Sequence, residues 1–169
     1  MSRVAVVTGA AGGMGRAITD RLLEDGLTVV GIDIDGAALL AMAADRTGFE
    51  AEACDLTDPE AIADSFDRIA GRHGGIDALV NNAGTCFMSD FPDIPAAELD
   101  RQMAVNFSSA FHCCQQAVKA MQGRPGVRKI VNISSNGAYN FDVFDPPHYR
   151  ASKAAMDTLT KDLARRYAR

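Results

Sequence analysis

Short apolar, β-branched runs alternate along this chain with longer amphipathic stretches, and that alternation limits the possible folds more than any other feature. Val4–Thr8 is a strand-like run that stops at a glycine cluster. Residues 14–25 follow with helical spacing, with Met14, Ala17, Ile18 and Leu22 on one side and Gly26 as the stop. The pattern then repeats: strands over 28–32, 49–54, 76–80 and 127–133, and helices over 36–47, 59–73, 96–121 (one or two segments) and 149–169. Asp58 is the N-cap of the third helix, with Pro59 in its first position. Strands that read as near-continuous apolar runs between helices are parallel and covered on both faces. The expected fold class is therefore α/β, a doubly wound parallel sheet.

The 169 residues fit one domain, and 47% hydrophobic with 23% charged residues is an ordinary globular balance. A net charge of −5 argues against nucleic-acid binding by bulk charge. No apolar run approaches the roughly 18 residues of a membrane span. The N-terminus reads as the first strand rather than a leader, so a cytoplasmic location is expected. The cysteines Cys54, Cys86, Cys113 and Cys114 form no Cys-x-x-Cys pair and are expected to be reduced packing residues. His73, His112 and His148 lack ligand-like spacing, so no metal is expected.

Thr8-Gly9-Ala10-Ala11-Gly12-Gly13-Met14-Gly15 joins the first strand to the first helix. Glycines there let the backbone turn sharply and approach a pyrophosphate, which the helix N-terminus attracts. The loop fits both Gly9/Gly13/Gly15 and Gly9/Gly12/Gly15 spacings. Asp33 ends the second strand, where a dinucleotide-binding unit places a carboxylate for the adenine ribose hydroxyls. Its neighbours Ile34, Asp35 and Gly36 include no cation, which favours NAD over NADP. Tyr149 and Lys153 are four apart and share a helix face. A nearby ammonium favours a phenolate, so this Tyr is a candidate acid/base.

Three further motifs join the glycine loop: Asn81-Asn82-Ala83-Gly84, Ile133-Ser134-Ser135 and Tyr149-Arg150-Ala151-Ser152-Lys153. Together they resemble the short-chain dehydrogenase/reductase family from Val4 onward, and Asn81-Asn82-Ala83-Gly84 looks like its compact dehydrogenase branch, which tips the choice to the Gly9/Gly13/Gly15 spacing. The resemblance implies a Rossmann-type sheet of order 3-2-1-4-5 as one NAD(P)-binding domain, 1–169, and NAD-linked interconversion of a secondary alcohol and a ketone. It implies catalytic roles for Asn106, Ser135, Tyr149 and Lys153. Ser135 would hydrogen-bond the substrate oxygen, with Ser134 as the alternative. Asn106 would support Lys153 through a water. Cofactor contacts are implied at Gly9, Gly12, Gly13, Met14, Gly15, Asp33, Ile34, Asp55, Leu56, Asn82, Ala83, Gly84, Tyr149 and Lys153.

The 136–147 loop, with Tyr139, Phe141, Asp142, Phe144 and Asp145, is expected to border a small-molecule alcohol or ketone. Full-length relatives are expected to form homo-oligomers through the long helices. The family continues with two more strands, so the chain is expected to be an N-terminal fragment with weak or no activity. Its fifth strand would then be an open edge. The alternative is a non-catalytic nucleotide-binding or interaction module derived from such an enzyme.

Overall fold

The computed structural model describes residues 3–140 and 145–167. Five strands form one parallel sheet of order β3-β2-β1-β4-β5: β1 (Val4–Thr8), β2 (Thr28–Asp33), β3 (Phe49–Ala53), β4 (Ala78–Asn81) and β5 (Lys129–Asn132). Six α-helices connect and cover them: α1 (Gly13–Glu24), α2 (Gly36–Asp45), α3 (Pro59–His73), α4 (Ala96–Met103), α5 (Ser109–Met121) and α6 (Pro147–Tyr167).

Side chains alternate across β1, which gives the sheet two cores. Val4 and Val6 pack with Ile62, Phe66 and Ile69 of α3, Cys113 and Ala117 of α5, and Leu159 and Leu163 of α6. Val7 packs on the other face with Leu39 and Met42 of α2 and with Ile18 and Leu22 of α1. Asp58 caps α3 by accepting from the Glu60 and Ala61 amides, with Pro59 at the first position, as the sequence predicts.

Several local expectations shift. Helix α1 is buried through Gly15 and Thr19, whereas Met14 is 60% exposed and Ala17 also faces out. The glycine loop brings Gly15 down onto Gly9 and Ala10, directly after β1. The 96–121 helix is two segments joined by a π turn over Ala104–Ser108. The fourth strand begins at Ala78, just after Asp77, whose amide donates to the Val4 carbonyl and whose carbonyl accepts from the Lys129 amide, and β5 is confined to the four residues opposite β4. Among the described residues β5 pairs only with β4, and Val131 on it is exposed. Cys54, Cys113 and Cys114 are buried, and burial holds all three thiols up, Cys114 to about 11. Cys86 is exposed, so it is no packing residue. Phe141, Asp142 and Phe144 lie outside the described residues. No described helix is long and apolar enough to cross a membrane.

One ion pair locks the N-terminal end of the sheet. Asp77 accepts from the Val4 amide at 2.8 Å and from Arg124, whose guanidinium also donates to the His73 carbonyl. Both side chains are nearly buried. Burial pushes the Asp77 carboxyl up, but Arg124 and the Val4 amide outweigh it and hold it below the ordinary carboxylate range. A depressed folded-state value contributes stability above the unfolded value of about 3.9, lost as pH falls through the folded one. Asp77→Asn should cost about 3 kcal/mol at neutral pH, since it strands a buried cation. Urea titrations at several pH values would check this, and the difference from the parent should vanish in acid.

Candidate active site

The parallel strands all point their C-terminal ends at one edge, and the motifs collect there. Gly9, Gly12, Gly13, Met14, Gly15, Asp33, Asn82, Ala83 and Gly84 line one cleft of about 330 Å³. Gly9 has φ +64°, and a Cβ on it would sit 2.9 Å from the Ala83 Cα. A Cβ on Gly15 would collide with the Gly9 carbonyl and lie 2.8 Å from the Ala10 Cα. A Cβ on Gly12 would meet only the Gly9 oxygen, at 3.4 Å, and one on Gly13 would meet open space. Close packing therefore needs Gly9 and Gly15, which both spacings share.

Gly12 caps α1 without a side-chain hydrogen bond, so the first-turn amides have no cap and face the cleft side. Arg16 braces the loop by donating from Nε to the Ala11 carbonyl at 2.8 Å. Asp33 accepts from the Ala11 amide at 3.0 Å and from the Asp35 amide at 3.1 Å, which orients its carboxylate at the rim. Ile34 is 73% exposed. Asp55 accepts from the Thr57 amide and hydroxyl, which hold its carboxyl below the usual range. Ile34, Asp55 and Leu56 stand beyond the strand ends and do not line the cleft.

The strand ends β1 and β4 are tied by a hydroxyl that sequence reasoning missed. Thr8 Oγ1 accepts from the Asn82 and Ala83 amides at 3.0 and 3.1 Å. Asn82 Nδ2 returns two bonds to the Thr8 and Gly9 carbonyls, leaving its buried Oδ1 without a partner among the described residues. A threonine directly before the first glycine was the available signal.

Two of the expected catalytic groups, Asn106 and Lys153, stand beside Gly84. Asn106 sits in the π turn, fully buried, a placement often associated with functional sites. Its amide donates to the Thr85 carbonyl and Ser152 Oγ, and its oxygen accepts from the Thr85 amide at 2.7 Å. Both amide hydrogens are thus engaged. A Cβ on Gly84 would lie 3.4 Å from Asn106 Oδ1 and 3.5 Å from Lys153 Nζ, so these groups flank that glycine. Lys153 is 4% exposed, donates to the Ile133 carbonyl at 2.8 Å and lies 6.0 Å from the Tyr149 ring centroid. Burial holds its ammonium below the usual lysine range, with Asp157 pulling the other way. Ser135 Oγ accepts from the Gly137 amide at 3.1 Å, which leaves its own hydrogen to donate. Ser134 Oγ is buried without a partner among the described residues. Gln102, which holds the 85–87 segment through the Thr85 carbonyl and Phe87 amide, gave no sequence signal.

A larger open groove of about 700 Å³ runs along the outer edge of β5, lined by Met121, Ile130, Leu163 and Tyr167 among others. None of Asn106, Ser135, Tyr149 or Lys153 reaches it. Among the described residues no group of three or more His, Cys, Asp or Glu could hold a metal ion.

Comparison with known proteins agrees with this arrangement. The sequence model described as short chain dehydrogenase matches residues 3–169. D-beta-hydroxybutyrate dehydrogenase of Rhizobium meliloti is 34% identical over 170 residues, which cover 97% of this chain and 65% of the relative. 3beta-hydroxysteroid dehydrogenase of Mediterraneibacter gnavus is 35% identical, covering 98% and 61%. The crystal structure of a short-chain dehydrogenase from Streptomyces avermitilis superposes with TM-score 0.93 at 32% identity, covering 99% of this chain and 61% of that one. The chain thus spans 61–65% of the length of these relatives.

Proposed function

Because this chain belongs to the short-chain dehydrogenase/reductase family, we propose that it carries the nucleotide and proton-transfer machinery of an NAD-dependent oxidoreductase interconverting a secondary alcohol and a ketone. The observation that carries this reading is the buried Lys153, one helical turn from Tyr149 and beside the cleft wall at Gly84. Burying an ammonium costs stability, so a lysine kept there serves something other than packing.

The residues present fit a dinucleotide. The uncapped α1 N-terminus and the cradle at Gly9, Gly12, Gly13, Met14 and Gly15 would hold its pyrophosphate. Asp33 would accept from the adenosine ribose hydroxyls and repel a 2′-phosphate, with Ile34, Asp55 and Leu56 around the adenine. Asn82, Ala83 and Gly84 form the opposite wall, and Tyr149 and Lys153 would reach the nicotinamide ribose. When bound, the nicotinamide supplies the hydride acceptor or donor. The Tyr149 phenol takes the alcohol proton during oxidation and returns it during reduction, with the Lys153 ammonium favouring its ionised form. Ser135 donates to the substrate oxygen as charge develops there. Asn106 fixes the turn that holds Ser152 and the 85 segment. Self-association through α4, α5 and α6 belongs to the same reading, supported by exposed Leu99 and Phe111.

The test is coupled alcohol oxidation with each dinucleotide, on this chain and on the natural gene product, whose intact mass decides which polypeptide carries activity. NAD⁺ should exceed NADP⁺ in kcat/KM by at least about tenfold, and Asp33→Ala should erase most of that margin. A parent that prefers NADP⁺ would overturn the role given to Asp33.

A further inference from the structure

The turn that carries Tyr149 is tethered on both sides. On one side Ser152 Oγ accepts from Asn106 Nδ2 at 3.1 Å and donates to the Tyr149 carbonyl at 2.6 Å. On the other side stands His148, which the sequence reading considers only as a metal ligand and finds without ligand-like spacing. It is 4% exposed, and its Nε2 lies 3.2 Å from Glu98 Oε1 in the first turn of α4. Glu98 Oε2 accepts from Ser89 Oγ at 2.8 Å. A contact path therefore runs from the segment that leaves the Asn81–Gly84 motif, through α4, to the residue preceding Tyr149.

This path is costly to keep. Neither imidazole nitrogen of His148 has an aligned hydrogen bond among the described residues, and Glu98 Oε1 has none either. An apolar side chain would fill the space more cheaply. His148 stands in the first turn of α6 and faces Glu98 in the first turn of α4, where an acid is favourable. Two helix starts are thus joined by one contact that gains little as packing.

We propose that His148 and Glu98 are positioning residues that set the Tyr149 phenol relative to Lys153, and that Ser89 links this setting to the segment that leaves the Asn81–Gly84 motif. The proposal rests on Tyr149 being the acid/base of an alcohol dehydrogenase. Tyr149 then lies between two anchors, at 148 and 152, that both lead back to the α4–π-turn unit. Losing one anchor leaves the cofactor cleft intact, because no residue of the pair lines it.

The test compares His148→Gln, Glu98→Gln and their double variant with the parent, in the full natural polypeptide. Each single change should lower kcat about tenfold, with KM and NADH affinity within about twofold. The double variant should lose no more than the worse single one, because both break one path. Amide hydrogen exchange gives a second readout that needs no turnover. It should quicken over residues 149–153 and stay unchanged over α5. Unchanged kcat and unchanged exchange in the single variants would sink the proposal. So would kcat, KM, NADH affinity and melting temperature all failing together, which is the mark of a merely structural pair. Tyr149→Phe, run alongside, judges the acid/base reading separately: turnover surviving that change removes the reading, while the exchange data still decide whether the pair holds the turn.

Discussion

Tyr149→Phe should reduce alcohol oxidation by about 10³-fold while NADH affinity changes by no more than about twofold. The phenyl ring keeps the shape and the packing at the start of α6. It loses only the hydroxyl to which the proposed mechanism assigns the proton exchange, so the loss falls on kcat. The Lys153 ammonium, its bond to the Ile133 carbonyl and the cleft at Gly9–Gly15 all remain. Steady-state kinetics with a secondary alcohol, together with NADH fluorescence titration, separates the two effects. Turnover within tenfold of the parent would show that another group moves the proton. Loss of NADH binding would show that Tyr149 chiefly builds the cofactor site.

Gly15→Ala should abolish measurable dinucleotide binding, a loss of about 100-fold or more, and lower stability by about 3 kcal/mol. The reason is steric: the added methyl would run into the Gly9 carbonyl and lie 2.8 Å from the Ala10 Cα. Those atoms are backbone and cannot rotate away as a side chain would. Relief requires α1 to lift from the Gly9–Ala10 turn, which opens the cradle and misdirects its first-turn amides. Gly13→Ala is the control, because a methyl there meets nothing within 4 Å. Calorimetric titration with NADH and thermal melts of both variants would check the pair. Equal behaviour of the two would mean that the cradle is softer than its contacts indicate.

The two glycines also mark how far local pattern reaches. Motif spacing left Gly12 and Gly13 as alternatives, and the packing makes the choice secondary, since Gly9 and Gly15 carry the close contacts. Spacing puts Met14 on the apolar side of α1, yet it is exposed, because Gly15 is the residue that packs inward, on Gly9 and Ala10. Asp58-Pro59 was legible because a cap involves only neighbours in sequence. The Thr8 hydroxyl was not, because its partners are 74 and 75 residues away. The placement of His148 is not legible either, because the residue it faces, Glu98 of α4, lies fifty positions earlier.

The sequence by itself determined the α/β alternation, the parallel sheet, the placement of three motifs at strand ends, and the shared helix face of Tyr149 and Lys153. These follow from periodicity and from short-range turn and cap chemistry, which act over a few residues. Only the tertiary structure decided which groups are desolvated and what they touch. It buried Lys153 beside Gly84, closed the Asn106 amide on Thr85 and Ser152, and set His148 against Glu98. Burial and long-range hydrogen bonding depend on how separate elements pack, and no local spacing encodes that.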